Sequence, residues 1–179
     1  KKEGILYDVG ATTLSGFDYN GPLDRIEKEL NFQLKKKRID PGMVINFKGK
    51  KILRHRDLNK WVDELNTHFP GINHDKIWGR IEKVSKLAWG LLSDVPLFPP
   101  ANLKDYLSFV DKNIADYLKL LPSLLVSFKS SLPREARNNE DYINFLDQIL
   151  MITAQEKSEK VPYLLAALGL NYPKDTFYS

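Results

Sequence analysis

Met43-Val44-Ile45-Asn46-Phe47, Lys48-Gly49-Lys50 and Lys51-Ile52-Leu53-Arg54 form the stretch on which the fold turns. The two flanks read as strands, and a glycine in a three-residue connection is a common hairpin signal. A β-hairpin is predicted here, with basic residues on its exposed side. Downstream the period changes. Asp57 can cap a helix in which Leu58, Trp61, Val62 and Leu65 recur at helical spacing, and Pro70-Gly71 stops it. Ile77, Ile81, Val84, Ala88 and Leu91 continue the helical stripe up to Asp94 and the Pro96, Pro99, Pro100 cluster.

Beyond those prolines, Asn102 caps the longest candidate helix, whose stripe runs from Leu103 to Leu121 until Pro122 forces a kink or break. A further helix is predicted over residues 140–154, with Tyr142, Ile143, Phe145, Leu146, Ile149 and Leu150 on its apolar face. A short one comes after it over residues 161–168, and residues 171–179 have no periodicity. Upstream of the hairpin, Ile5-Leu6-Tyr7-Asp8-Val9-Gly10 reads as a strand running into a turn, and residues 11–20 as a loop. Asn20-Gly21-Pro22 opens a short helix bearing Leu23, Ile26 and Leu30. Five to six helices against three short strands, all before residue 56, make the expected class α+β and helix-dominated. A strand and hairpin part (residues 1–56) precedes a bundle-like helical part (residues 57–179). Three short strands need outside pairing or a helix cover.

At 179 residues the chain has room for one domain, since domains average about 150 residues. Apolar residues at 42% against 28% charged supply a core of ordinary size, which disfavours intrinsic disorder. With no cysteine there is no disulfide scaffold, no thiolate metal site and no thiol nucleophile. That suits a reducing, cytoplasmic setting. No apolar run is long enough for a membrane span, and Lys1-Lys2-Glu3 does not open a signal peptide. A start without methionine, running at once into a strand, reads as a piece of a longer chain.

Catalytic motifs are absent from the 179 residues. His55, His68 and His74 include no pair at helical metal-site spacing, and His55 stands between Arg54 and Arg56, so all three are expected at the solvated surface. Leu14-Ser15-Gly16 lacks the nucleophile-elbow pattern, and neither a dinucleotide-binding Gly-x-Gly-x-x-Gly nor a Walker loop is found.

Charge is uneven. Residues 1–60 hold 14 basic and 8 acidic side chains, and residues 35–56 hold nine basic ones with the single acid Asp40. Such a face suits solvation and edge protection, with an anionic membrane surface as the next reading. No RNA-binding aromatic signature accompanies it, so nucleic acid is not an expected partner. Leu91-Leu92, residues 95–98 and residues 120–126 carry more apolar side chain than one helix face needs, which suits core at any single residue and, over the whole surplus, an interface with further protein or the wall of an apolar ligand site.

Tyr7-Asp8-Val9-Gly10-Ala11-Thr12-Thr13-Leu14-Ser15-Gly16, with Pro22-Leu23 beyond it, resembles the phytoene-desaturase-like FAD-dependent oxidoreductases, the group of carotenoid desaturases, carotenoid isomerases and retinol saturases. His68-Phe69-Pro70-Gly71 is similar to that family's Phe-Pro-Gly turn, and the run from Leu164 to Tyr172 with Pro173 agrees as well. The order of these segments covers most of the chain, and the first of them is the specific one.

The resemblance implies that these residues are the substrate-binding segment of a flavoprotein roughly three times longer, whose dinucleotide-binding half lies elsewhere in the chain. It implies FAD as cofactor, a long polyene or other isoprenoid as the hydrophobic substrate, and hydride transfer between a substrate carbon and the flavin. Gly10, Ala11 and Thr12 carry over as flavin-near positions, with Asp8 beside that turn. Small side chains let backbone approach a planar cofactor closely. No acid or base carries over, and the segment by itself is expected to bind FAD poorly and to be catalytically silent. The competing reading is a non-catalytic helical interaction module, docking on a membrane surface or acidic partner through the basic hairpin.

Overall fold

The computed structural model describes residues 13–18, 21–93 and 118–178. Their order is α1 (Pro22–Glu29), β1 (Lys37–Arg38), β2 (Met43–Phe47), β3 (Lys50–Arg54), α2 (Leu58–His68) and α3 (His74–Ser93). From residue 118 on come α4 (helical over 118–125), α5 (Arg134–Arg137), α6 (Glu140–Thr153), α7 (Tyr163–Asn171) and β4 (Phe177–Tyr178). Helix outweighs strand, so the fold is α+β and helix-dominated. The strand expected at 5–10 and most of the helix expected from Asn102 lie outside the described residues.

β2 and β3 pair antiparallel with Phe47 opposite Lys50. Only Lys48 and Gly49 lie between them, at φ 48° and 76°. Two left-handed residues make the type I′ turn whose twist matches that of paired strands, so the connection is one residue shorter than predicted. Ile45, Phe47 and Ile52 face the core, while Lys50 and Lys51 are exposed. Arg54 corrects the expectation for the hairpin's basic residues. It shares the inner face with Ile52 and is only 2% exposed.

Asp57 caps α2 by accepting the Lys60 amide at 2.9 Å, and Asn139 does the same for α6 at the Tyr142 amide, 2.9 Å. Each cap satisfies a backbone donor that the first helical turn leaves without a partner. The core lies where α2, α3, α6 and α7 meet the hairpin. All six apolar positions named for α6 are buried there, with Trp61 and Leu65 of α2 and Trp78 and Ile81 of α3. Trp61 meets Trp78 edge to face at 5.0 Å, and Phe69 lies 5.0 Å from Phe145.

Two further expectations change. Of the kink or break expected at Pro122, the break does not occur: residues 118–125 are helical through the exposed proline. The tail also has structure. After a 3₁₀ turn at Tyr172–Asp175, β4 pairs antiparallel with β1, Arg38 opposite Phe177. A two-residue ladder is too short to leave a period in the sequence. Among the described residues no helix is long and apolar enough to cross a membrane.

Candidate functional site

Gly10, Ala11 and Thr12, the flavin-near positions implied by the resemblance, lie outside the described residues. The backbone just beyond them is held firmly. The Leu14 amide donates to the Phe177 carbonyl at 2.7 Å, and the Phe177 amide returns the bond at 2.8 Å. β4 is therefore flanked by residue 14 on one side and by β1 on the other. Phe17 packs edge to face on Phe177 at 5.2 Å, and the Arg38 guanidinium lies 4.6 Å from the centre of the Phe177 ring. Gly16, at φ 89°, turns the backbone so that its carbonyl accepts the amides of Leu23 and Asp24 at the start of α1, 3.0 and 3.2 Å away.

Charges gather under this junction. Asp18 receives Arg38 at 2.5 Å and Arg56 at 3.5 Å. Lys174 meets Glu82 of α3 at 2.8 Å, and Lys86 meets it at 2.9 Å. Asp175 lies against Asp18, and its Oδ1 is buried without a hydrogen-bond partner. Burial, then the neighbouring Asp18 carboxyl, push the Asp175 pKa up to about 7 against the pull of Lys174 and Arg38. The pair can thus hold one proton near neutral pH. Sequence reading missed both carboxylates, because residues 18 and 175 are brought together only by the Leu14 and β4 pairing.

A raised carboxyl binds a proton in the folded chain that the unfolded chain has already released. Its stabilising contribution is complete below the ordinary carboxylate range and is lost as pH rises through about 7. Asp175→Asn, which keeps a donor toward Asp18 at every pH, is expected to melt above the wild type. The gap should widen between about pH 4 and 7 and then level off. A gap that does not vary with pH in thermal melts would refute this.

The histidines are scattered. His55 stands 3.7 Å from Asp40 and His68 3.5 Å from Glu64. His74 corrects the surface reading, being 1% exposed. Its Nε2 lies 2.9 Å from the Phe69 carbonyl, which can only accept, so Nε2 carries the proton. Burial holds its pKa below the usual histidine value. Among the described residues no cluster of His, Asp and Glu has the makings of a metal site.

The cavity at the junction, lined by Gly16, Asp18, Trp89 and Asp175, measures about 30 Å³. It is the size of one water molecule, whereas cofactor pockets run to several hundred cubic ångströms. At this junction the described residues do not by themselves form a flavin pocket. No protein-family model, curated protein or solved structure matches the chain.

Proposed function

We propose that this chain is the substrate-side segment of an FAD-dependent oxidoreductase of the phytoene-desaturase-like kind, acting on a long apolar polyene or isoprenoid. The observation that supports this best is the bridge between Leu14 and Phe177. It ties Leu14, two positions after Thr12 in the sequence, to Phe177, so the segment that carries the resemblance and the C-terminal run that agrees with it belong to one folded unit. A second support is apolar surface on and just after α4 that no described residue covers. Leu121, Leu124, Leu125 and Val126 are 45, 45, 84 and 39% exposed, which suits a wall facing an apolar substrate or the flavin-holding half. Hydride exchange is the chemistry that bound flavin would supply; the part of these residues is to shape and dry the substrate side.

The test is purification of the protein at its full natural length. A flavin absorption spectrum is expected, with occupancy reduced by Ala11→Leu, whereas residues 1–179 alone should show no stoichiometric FAD binding by isothermal titration. A full-length protein free of flavin, or tight FAD binding by residues 1–179, would overturn the reading.

A further inference from the structure

β2 has one open edge. Val44 stands opposite Leu53 and Asn46 opposite Lys51. The Leu53 amide points away from β2, where Glu64 Oε1 of α2 accepts it at 2.9 Å. In an antiparallel ladder, residues directly opposite one another share the same phase. Val44 therefore turns its N–H and C=O groups away from β3, and so does Asn46 two residues on. Among the described residues no strand is paired on that side, where β2 and β3 form a sheet of two. Thus α2 screens the outer edge of β3, while the outer edge of β2 borders a cleft of about 810 Å³. The facing wall of the cleft is α6, through Gln148, Met151, Ile152 and Asp147, whose carboxylate already accepts the Ser158 amide at 2.8 Å.

The side chains around the cleft indicate what it takes. Val44, Met151 and Ile152 are 50, 49 and 71% exposed, an apolar lining that no described residue covers. Lys51 lies on the outer face beside Asn46, and Lys157 lines the cleft. Lys51 makes no ion pair among the described residues, and Lys157 shares the field of Glu159 with Lys129 and Lys160, which leaves cations in excess there.

We infer that the free edge of β2 is a docking site for an extended acidic peptide segment, which joins the hairpin as a third strand. Two outward amides and two outward carbonyls match the backbone of a strand, and neither a helix nor a lipid headgroup offers that pattern. Alternation in the added strand would send apolar side chains toward Met151 and Ile152 and acidic ones toward Lys51. A second copy of this chain fits less well, because it brings the same basic hairpin and not the acids that would neutralise it. None of these observations involves the flavin reading, so either proposal can fail alone.

The probe is a fluorescein-labelled peptide, Val-Glu-Val-Asp-Val-Glu-Val, titrated with the chain and followed by anisotropy. Saturable binding is expected. It should weaken roughly tenfold or more with Lys in place of Glu and Asp, with alternate backbone nitrogens methylated, or with Val44→Pro in the protein. Val44→Pro removes only an outward donor and leaves the hairpin's own hydrogen bonds in place. Should that variant fold poorly by circular dichroism, the methylated peptide carries the same test on wild-type protein. Equal binding of methylated and unmethylated peptides, absence of binding, or cosedimentation with anionic lipid vesicles in place of peptide binding would overturn the inference.

Discussion

Gly42→Ala is expected to lower stability by about 3 kcal/mol or more, at the upper end of what one added methyl does to a packed site. A Cβ built on Gly42 would stand 1.7 Å from the carbonyl oxygen of Pro173. Both walls of that contact are backbone. Pro173 is buried in the 3₁₀ turn that delivers β4 to β1, and the Gly42 amide donates to the Arg54 carbonyl at 2.9 Å. Neither side can step back without breaking the hairpin or the β1 and β4 pairing. For a chain of this size the melting temperature should fall by about 6–12 °C. Two glycines with nothing near their Cβ positions provide the controls. Gly79→Ala, inside α3, should gain roughly 0.5–1 kcal/mol from helix propensity. Gly49→Ala, at φ 76°, should lose about 1 kcal/mol to the left-handed backbone alone. If Gly42→Ala melts like Gly49→Ala, the close approach to Pro173 is not a constraint.

The same contact shows where sequence reading stopped. Elements with a full period were legible: α6 from its six apolar positions, α2 from Asp57 and its stripe, the hairpin from its glycine turn. Each is specified by residues close together in the chain, so its pattern is printed locally. The junction of residues 13–18 with β4 has no such print. Leu14, Arg38, Gly42 and Phe177 become neighbours only when the tail returns across the N-terminal third, and its longest ladder is two residues. The proton-sharing pair of Asp18 and Asp175 was hidden for that reason. His74 and Arg54 were misplaced for another: their charge argued for solvent, while period placed each on an inward face. For a long side chain period prevails when the interior offers it partners. The Phe69 carbonyl does so for His74 and aromatic faces do so for Arg54.

Arg54 should therefore be among the most sensitive side chains in the molecule. Its guanidinium lies 4.8 Å from the Trp61 ring and 5.0 Å from the Trp78 ring, and Nη1 donates to the His55 carbonyl at 2.5 Å. Burial pulls its pKa down, to about 9, against the fields of Asp175, Glu82 and Asp40, so it remains charged at neutral pH. Arg54→Ala removes the flat cation that packs beside both indoles and leaves those carboxylates less compensated, which should cost about 3–5 kcal/mol. Arg54→Lys keeps the charge but not the flat, weakly hydrated surface that stacks on rings, so it should recover only part of that loss. Arg54→Met keeps most of the volume and loses the charge, and its cost should depend on pH. Glu82 already has Lys174 and Lys86, and the half-exposed Asp40 keeps water and the Arg56 amide, which donates to it at 3.2 Å. The carboxyl left exposed to the loss is Asp175, whose pKa is already up near 7 and would rise further without a neighbouring cation. At about pH 6 Asp175 can answer by holding its proton, whereas at about pH 8 it must do so against the solvent. The methionine variant should thus be closer to wild type at the lower pH, and Asp175→Asn in the same chain should abolish that difference. Thermal melts read by tryptophan fluorescence at the two pH values decide it. Equal losses at both would mean that the indoles, and not the charge, account for what Arg54 contributes.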